Sequence, residues 1–236
     1  MTAAERLRAL HVPGDPLVLP NAWDVGSARA VAAAGYPVVA TSSAAIAHTL
    51  GGADDDTLAP FDFLARMAAA VDVPVTADVE GGYGLAPREL AARLLDAGIA
   101  GCNLEDTDRR AGGLKDPAQQ AAYLAQVREA GLVVNARVDA QLRGGTLAEG
   151  LERARVYAQA ADCVYPIHVT SADDLAAYVE ACGIVNATAL PDSPPFARLR
   201  ELGIARVSFG GGTYKAALTA ALDLAARYVG DAAAAG

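Results

Sequence analysis

VPVTADVEGGYG (73–84) opens as an apolar strand and stops in glycines. Pro87 and Gly98 then bracket a helix, with proline at its start and glycine just past its end. A strand followed by a helix is one βα unit, and the same phrase recurs along the chain. Strand-like runs stand at LVLP (17–20), PVVATS (37–42), VPVTADVE (73–80), IAGCNLED (99–106), LVVNARVD (132–139), DCVYPI (162–167), GIVNAT (183–188) and IARVSF (204–209). Ala/Leu-rich segments of helical period follow them, near 24–34, 60–70, 87–98, 117–130 and 147–160, then after each of the last three strands, ending near 213–228. The segment between PVVATS and residue 60 reads as a loop. Eight consecutive units with no linker or low-complexity break predict an α/β fold, a (β/α)8 TIM-type barrel, as one domain over 1–236. An open doubly wound sheet is the alternative, and the eightfold count weighs against it. The tail DAAAAG (231–236) is expected to be short, frayed and disordered.

Of the 236 residues, 53% are hydrophobic and 20% charged, enough for a sizeable core. The net charge of −9 and pI near 4.8 exclude nucleic acid as a natural partner. The N-terminal MTAAERLRALHVPGD carries charges where a signal peptide needs an apolar centre. Residues 30–47 hold no charge, but Gly35, Pro37 and Ser42-Ser43 split them into a helix end and a strand, so no membrane span is expected. Cys102, Cys163 and Cys182 show no CxxC spacing, which predicts free thiols and a cytoplasmic setting.

Asp78 and Glu80 lie two apart at a strand end and so share a face. Two carboxylates side by side repel, and one would hold its proton unless a cation lay between them. In a barrel of this kind chemistry collects at the C-terminal ends of the strands. There the sequence puts Thr41, Ser42 and Ser43; the GGADDD loop with Asp54; Asn103, Glu105 and Asp106; Asn135, Arg137 and Asp139; His168; Asn186 and Thr188; and Ser208. Plainer readings stand beside these. Asp55 and Asp56 read as a solvated turn, Arg137 as an ion pair with Asp139, His168 as a packed or surface histidine, and Gly210–Gly212 as a turn. Carboxylates from three strand ends make an oxygen-only site, which suits Mg2+, with Mn2+ as the second choice.

NAWDVGSARAVAAAGYPVVATSSAAIAHTLG (21–51), TADVEGGYG (76–84), NLED (103–106), NARVDA (135–140) and ADCVYPI (161–167) together resemble the isocitrate lyase/phosphoenolpyruvate mutase superfamily. The likeness runs in unbroken order from about residue 17 to 225. It implies a (β/α)8 barrel and an enolate of pyruvate or a relative, held on Mg2+, as the shared intermediate. It makes Asp78 the direct Mg2+ ligand and gives the metal-bound waters to Asp54, Glu80 and Glu105. It assigns the substrate carboxylate to Ser42, Ser43 and Ala44 and to Arg137, with Asn186 a further substrate-binding candidate. Tyr83 and His168 are candidates by location for the proton donor.

The isocitrate and methylisocitrate lyases carry K-[KR]-C-G on the loop after strand 4. Here that loop reads EDTDRRAGGLKDPAQQ (105–120), with no cysteine, which argues against both substrates. The phosphonate-acting members show a different loop pattern, although Lys115 is present. Arg109, Arg110 and Lys115 make the loop basic and suited to close over an anion. Family members often end in helices exchanged between subunits, so a homo-oligomer is expected, although the chain stops soon after helix 8. The leading expectation is a Mg2+-dependent lyase or decarboxylase of a small 2-oxo or 2-hydroxy dicarboxylic acid. A phosphonomutase or phosphonopyruvate hydrolase is the second, and a non-catalytic metabolite-binding barrel the third.

Overall fold

The computed structural model describes residues 1–234, and the side chains of 1–229. The barrel strands are β1, in two pieces Leu17–Leu19 and Asn21–Ala22, β2 (Val39–Thr41), β3 (Val75–Asp78), β4 (Gly101–Glu105), β5 (Val133–Val138), β6 (Cys163–Pro166), β7 (Asn186–Thr188) and β8 (Arg206–Ser208). Pro20 cannot donate to a ladder, and it divides β1. The upper piece pairs with β2 and begins a parallel arc running through β3, β4, β5 and β6. The lower piece pairs with β8, which pairs with β7. A parallel bridge between Val164 and Val185 joins the two arcs at their other ends. All eight expected strands are present and follow one another around the ring.

The helices are α1 (Ala3–Ala9), α2 (Val25–Ala33), α3 (Ser43–Thr49), α4 (Phe61–Ala68), α5 (Pro87–Asp96), α6 (Pro117–Glu129), α7 (Leu147–Ala158), α8 (Ala172–Cys182), α9 (Phe196–Glu201) and α10 (Gly212–Ala234). Outward strand residues such as Val75, Ala77, Val134 and Ala136 pack against Leu64, Leu90, Leu94 and Leu124 of the helices. Leu7 of α1 closes the N-terminal end of the barrel against Leu17, Leu19, Val38 and Val133. The sequence does not announce α1 or α3, because seven residues are too few to display a 3.6-residue period. Their caps do: Thr2 and Glu5 form a reciprocal capping box, and the Ser42 hydroxyl accepts from Ala45 N–H. A small hairpin, Thr107–Asp108 against Gly113–Leu114, stands in the loop after β4.

The barrel interior is polar. Asn135 donates to Asn103 at 2.8 Å and to Asn186 at 3.3 Å, and Arg206 Nη2 donates to Asn103 at 3.1 Å. These bonds link β4, β5, β7 and β8 across the barrel, so the side chains point inward. Two residues further along each strand, Glu105, Arg137, Tyr165, Thr188 and Ser208 form the next inward layer, at the mouth. The strand period thus delivers charged and hydroxyl groups to the C-terminal face while the alternate positions stay apolar.

α10 touches the barrel at its first turn, where the Thr213 hydroxyl donates to Asn21 C=O at 2.6 Å and Tyr214 meets Trp23 edge-on. Beyond that turn Leu222, Leu224, Tyr228 and Val229 are exposed. The helix covers the first four residues of the tail expected to fray, and residues 235–236 lie outside the described residues. All three cysteines are free, with Cys102 and Cys163 buried. Among the described residues no helix is long and apolar enough to cross a membrane.

His11 seals the same end of the barrel as Leu7. It is buried, holds the Leu7 carbonyl through Nδ1 at 2.9 Å, and leaves Nε2 without a partner. Burial, with the Arg206 charge beside it, pushes its pKa down to about 4. A folded pKa below the unfolded value means stability that is present above pH 6.5 and lost as pH falls through 4. The full loss amounts to about 3 kcal/mol. Urea unfolding of wild type and His11→Gln at pH 7 and 4.5 should show a difference in stability that shrinks or reverses at the lower pH. A constant difference would remove His11 as an acid-sensitive group.

Candidate functional site

At the mouth, β3 ends in Asp78 and the chain turns sharply through Val79–Gly84. Glu80 and Tyr83 both adopt positive φ there, 51° and 57°, which non-glycine residues accept only when surrounding bonds hold them. Asp56 supplies those bonds: its Oδ1 accepts from Gly81 N–H and Tyr83 N–H, each at 3.0 Å, while its own N–H donates to Glu80 Oε2 at 2.6 Å. Gly81 is required for this clamp, since a Cβ would stand 2.5 Å from Asp56 Oδ2. The solvated-turn reading of Asp56 is therefore corrected. Asp55 is exposed, caps Thr57 and fits that reading.

Asp78 is half-buried. Its Oδ2 accepts from the Ser43 hydroxyl at 3.0 Å, with Ser43 N–H at 3.4 Å, and its N–H donates to the Thr41 hydroxyl at 3.1 Å. Burial raises its pKa, the neighbouring Asp54 adds to the rise, and Arg137 and Ser43 oppose it. Glu80 and Glu105 are 2% and 1% exposed, and burial lifts their pKa values to about 8 and about 7.

Arg137 lies flat against Asp139 in a bidentate pair, Nε to Oδ1 and Nη2 to Oδ2, each at 2.7 Å. Its Nη2 also meets Glu105 Oε2. The ion pair weighed as the plain reading is thus present. Nη1 has no hydrogen-bond partner among the described residues. Burial works to raise the Asp139 pKa, and Arg137 overcomes it and holds that carboxyl below its usual range. The Thr107 hydroxyl donates to Asp139 at 2.6 Å, and Asp106, buried behind, accepts from Asp139 N–H, Tyr157 OH and Arg153.

The loop after β4 carries Arg109 into the same place. One guanidinium nitrogen stands 3.2 Å from Glu105, 3.6 Å from Glu80 and 3.8 Å from Asp54. Three of the four carboxylates expected to serve a cation, Asp54, Glu80 and Glu105, thus surround a cationic group of the chain itself. Asp54 Oδ1 and both Glu105 oxygens are buried without a well-directed hydrogen bond. An all-oxygen, underbonded, anionic set fits a hard divalent ion. Among the described residues no three His, Cys, Asp or Glu groups converge tightly enough to ligate one ion directly.

The four other candidates stand as follows. The Asn186 amide is spent in the barrel interior on Ser208 and Ala187 C=O, one layer below the mouth, and Thr188 stands above it beside Tyr165. The Asn186 amide is thus engaged within the barrel, below the place expected of a substrate contact. His168 sits at the end of β6 in a left-handed conformation, φ 61°, exposed and without a hydrogen bond, as the plain reading had it. The Tyr83 ring lies edge-on against Phe61 at 5.8 Å, and burial raises its pKa well above the usual value. Ala44 stands in the first turn of α3, directly after Ser43.

The phosphoenolpyruvate phosphomutase family profile matches residues 7–229. An uncharacterized protein of Mycobacterium tuberculosis is 36% identical over 230 residues, covering 94% of this chain and 88% of that protein. A Corynebacterium glutamicum protein named "Probable 2-methylisocitrate lyase 2" is 30% identical over 214 residues, covering 84% of this chain and 66% of its own. A solved structure named as a "putative phosphonomutase" from Burkholderia cenocepacia J2315 superposes with TM-score 0.86 at 35% identity, covering 94% of this chain and 98% of that one.

Proposed function

This chain belongs to the phosphoenolpyruvate phosphomutase family, and on that premise we propose that it is a Mg2+-dependent carbon–carbon lyase or decarboxylase of a small 2-oxo or 2-hydroxy dicarboxylic acid. The observation that carries the reading is the convergence of Asp54, Glu80 and Glu105 on one positive group, beside Asp78 and Arg137. Asp78 would hold Mg2+ directly, with Asp54, Glu80 and Glu105 holding its waters. When bound, the ion supplies Lewis acidity where negative charge develops. Arg137 Nη1 would hold the oxyanionic end of the substrate, fixed by Asp139 so that it needs no reorganisation. Ser42, Ser43 and Ala44 would present a hydroxyl and backbone N–H groups to the carboxylate. Tyr83, raised in pKa by burial, would retain a proton at neutral pH and act only as a donor.

The loop EDTDRRAGGLKDPAQQ lacks the lyase cysteine, which supports a substrate other than isocitrate or methylisocitrate. The family name and the Burkholderia likeness favour the second reading, a phosphonomutase or phosphonopyruvate hydrolase. One panel separates them: oxaloacetate, 2-methylmalate-type acids, 2-methylisocitrate and phosphonopyruvate, each with Mg2+. Pyruvate release is followed by a coupled assay and phosphonates by 31P NMR. We expect release from a C–C substrate that disappears with EDTA and in Asp78→Ala. Turnover of phosphonopyruvate alone would transfer the site to P–C chemistry. Turnover that survives Asp78→Ala would remove this residue from the reaction.

A further inference from the structure

We propose that Arg109 is an internal counter-cation that competes with the divalent ion for Asp54, Glu80 and Glu105, so that metal binding and release of the loop after β4 are one exchange. The proposal rests on the reading that these carboxylates serve a divalent ion.

The loop is pinned at both ends and free between them. Thr107 is bonded to Asp139 at 2.6 Å, Lys115 N–H to Asp106 C=O at 2.8 Å, and Lys115 Nζ to Gly81 C=O at 3.0 Å. Between these anchors residues 109–112 are exposed. Their remaining restraints are local to the hairpin and one outside bond: Asp108 accepts from Arg110 and Ala111 N–H through its carboxylate and from Gly112 N–H through its carbonyl at 2.9 Å, Asp108 pairs with Gly113, and Arg143 Nη2 donates to Gly112 C=O at 3.0 Å. The segment that carries Arg109 can therefore move without disturbing Asp106 or Asp139.

Arg109 also holds its partners loosely. A planar guanidinium is built for one bidentate carboxylate at about 2.8 Å. Here it is shared among three acids at 3.2, 3.6 and 3.8 Å, and its side chain is 31% exposed at the open edge of the site. It acts as a diffuse neutralising charge for two nearly buried carboxylates. A divalent ion carries twice that charge and places oxygens at about 2.1 Å. The two cations would repel each other across one small cluster, so occupancy by one excludes the other. The binding-competent state is then the one with Arg109 withdrawn, and apparent metal affinity is reduced by the fraction of chains in that state. Once released, Arg109 stands at the rim with Arg110, where an anionic substrate arrives. This orders the events, metal before substrate.

The test uses Mn2+ as the probe, with free Mn2+ read by EPR, on the full chain as wild type, Arg109→Ala and Arg110→Ala. Arg110 adjoins Arg109 on the same exposed segment and makes no ion pair within 4 Å among the described residues, so it controls for net charge. We expect Arg109→Ala to bind Mn2+ at least fivefold more tightly, and Arg110→Ala to change affinity less than twofold. Hydrogen exchange of residues 109–112 should speed up on Mg2+ addition in wild type and be fast with or without Mg2+ in Arg109→Ala. Equal or weaker Mn2+ binding in Arg109→Ala, or equal gains in both variants, would overturn the exchange while leaving the metal site standing. Folded protein that binds no Mn2+ in any form would overturn the exchange together with the metal reading beneath it.

Discussion

Arg137→Gln should lower kcat/KM a hundredfold or more and destabilise the protein at the same time. The kinetic part follows from geometry. Asp139 grips one edge of the guanidinium through two N–H groups, each at 2.7 Å, so the remaining nitrogen is held in place before any substrate arrives. Loss of one such preorganised contact typically costs about 3 kcal/mol of transition-state stabilisation. The stability part follows from burial. Arg137, Glu105 and Asp139 are 9%, 1% and 0% exposed, and a neutral amide at 137 leaves two buried carboxylates facing each other. Breaking one partner out of a buried pair costs about 3–5 kcal/mol. Arg137→Lys keeps the charge and loses the fork, so it should recover part of the stability and little of the rate. Urea denaturation beside steady-state kinetics separates the two effects. Full activity in Arg137→Gln would place the anion-binding group elsewhere in the mouth.

Much of this site was legible in the sequence for one reason: a strand alternates faces, and a barrel gathers strand ends on one side. Period-two spacing alone puts Asp78 with Glu80, and Asn135 with Arg137 and Asp139. The same rule does not give the height of Asn186. Spacing says which face a residue takes, but its height along the barrel axis depends on where pairing begins, and Asn186 pairs one layer low, opposite Arg206. Asp56 was misread because nothing local in DDD distinguishes a solvated acid from one that caps a turn 25 residues away. Arg109 was read as a lid residue for an anion, and its contact with three acids depends on how the loop folds back. Arg206 offered no signal at all: IARVSF reads as an ordinary strand, and only barrel closure reveals its guanidinium crossing the interior to Asn103.

Asp106→Ala should destabilise the protein as much as Arg137→Gln, although Asp106 is proposed to touch neither metal nor substrate. It is fully buried, and its two oxygens accept from Asp139 N–H at 2.8 Å, Tyr157 OH at 2.9 Å and Arg153 Nη1 at 3.1 Å. Alanine removes all three acceptors. Arg153 keeps the Lys115 carbonyl at 2.8 Å, but the Asp139 amide has no other acceptor, and Tyr157 OH is left beside a positive charge. The expected cost is about 3–5 kcal/mol. For a chain of this length that is a fall of roughly 10 °C in Tm. Burial raises the Asp106 pKa, against the donors that favour its charged form. Asp106→Asn, the same shape without the charge, should therefore cost clearly less, keeping the Asp139 amide bond through its carbonyl oxygen. The consequence reaches the mouth through one covalent step. The Asp139 amide that Asp106 fixes belongs to the residue whose carboxylate holds Arg137, so Asp106→Ala should reduce kcat while Asp106→Asn largely preserves it. Equal Tm values for the two variants would show that the negative charge, and neither the shape nor the retained carbonyl acceptor, supports this wall of the site.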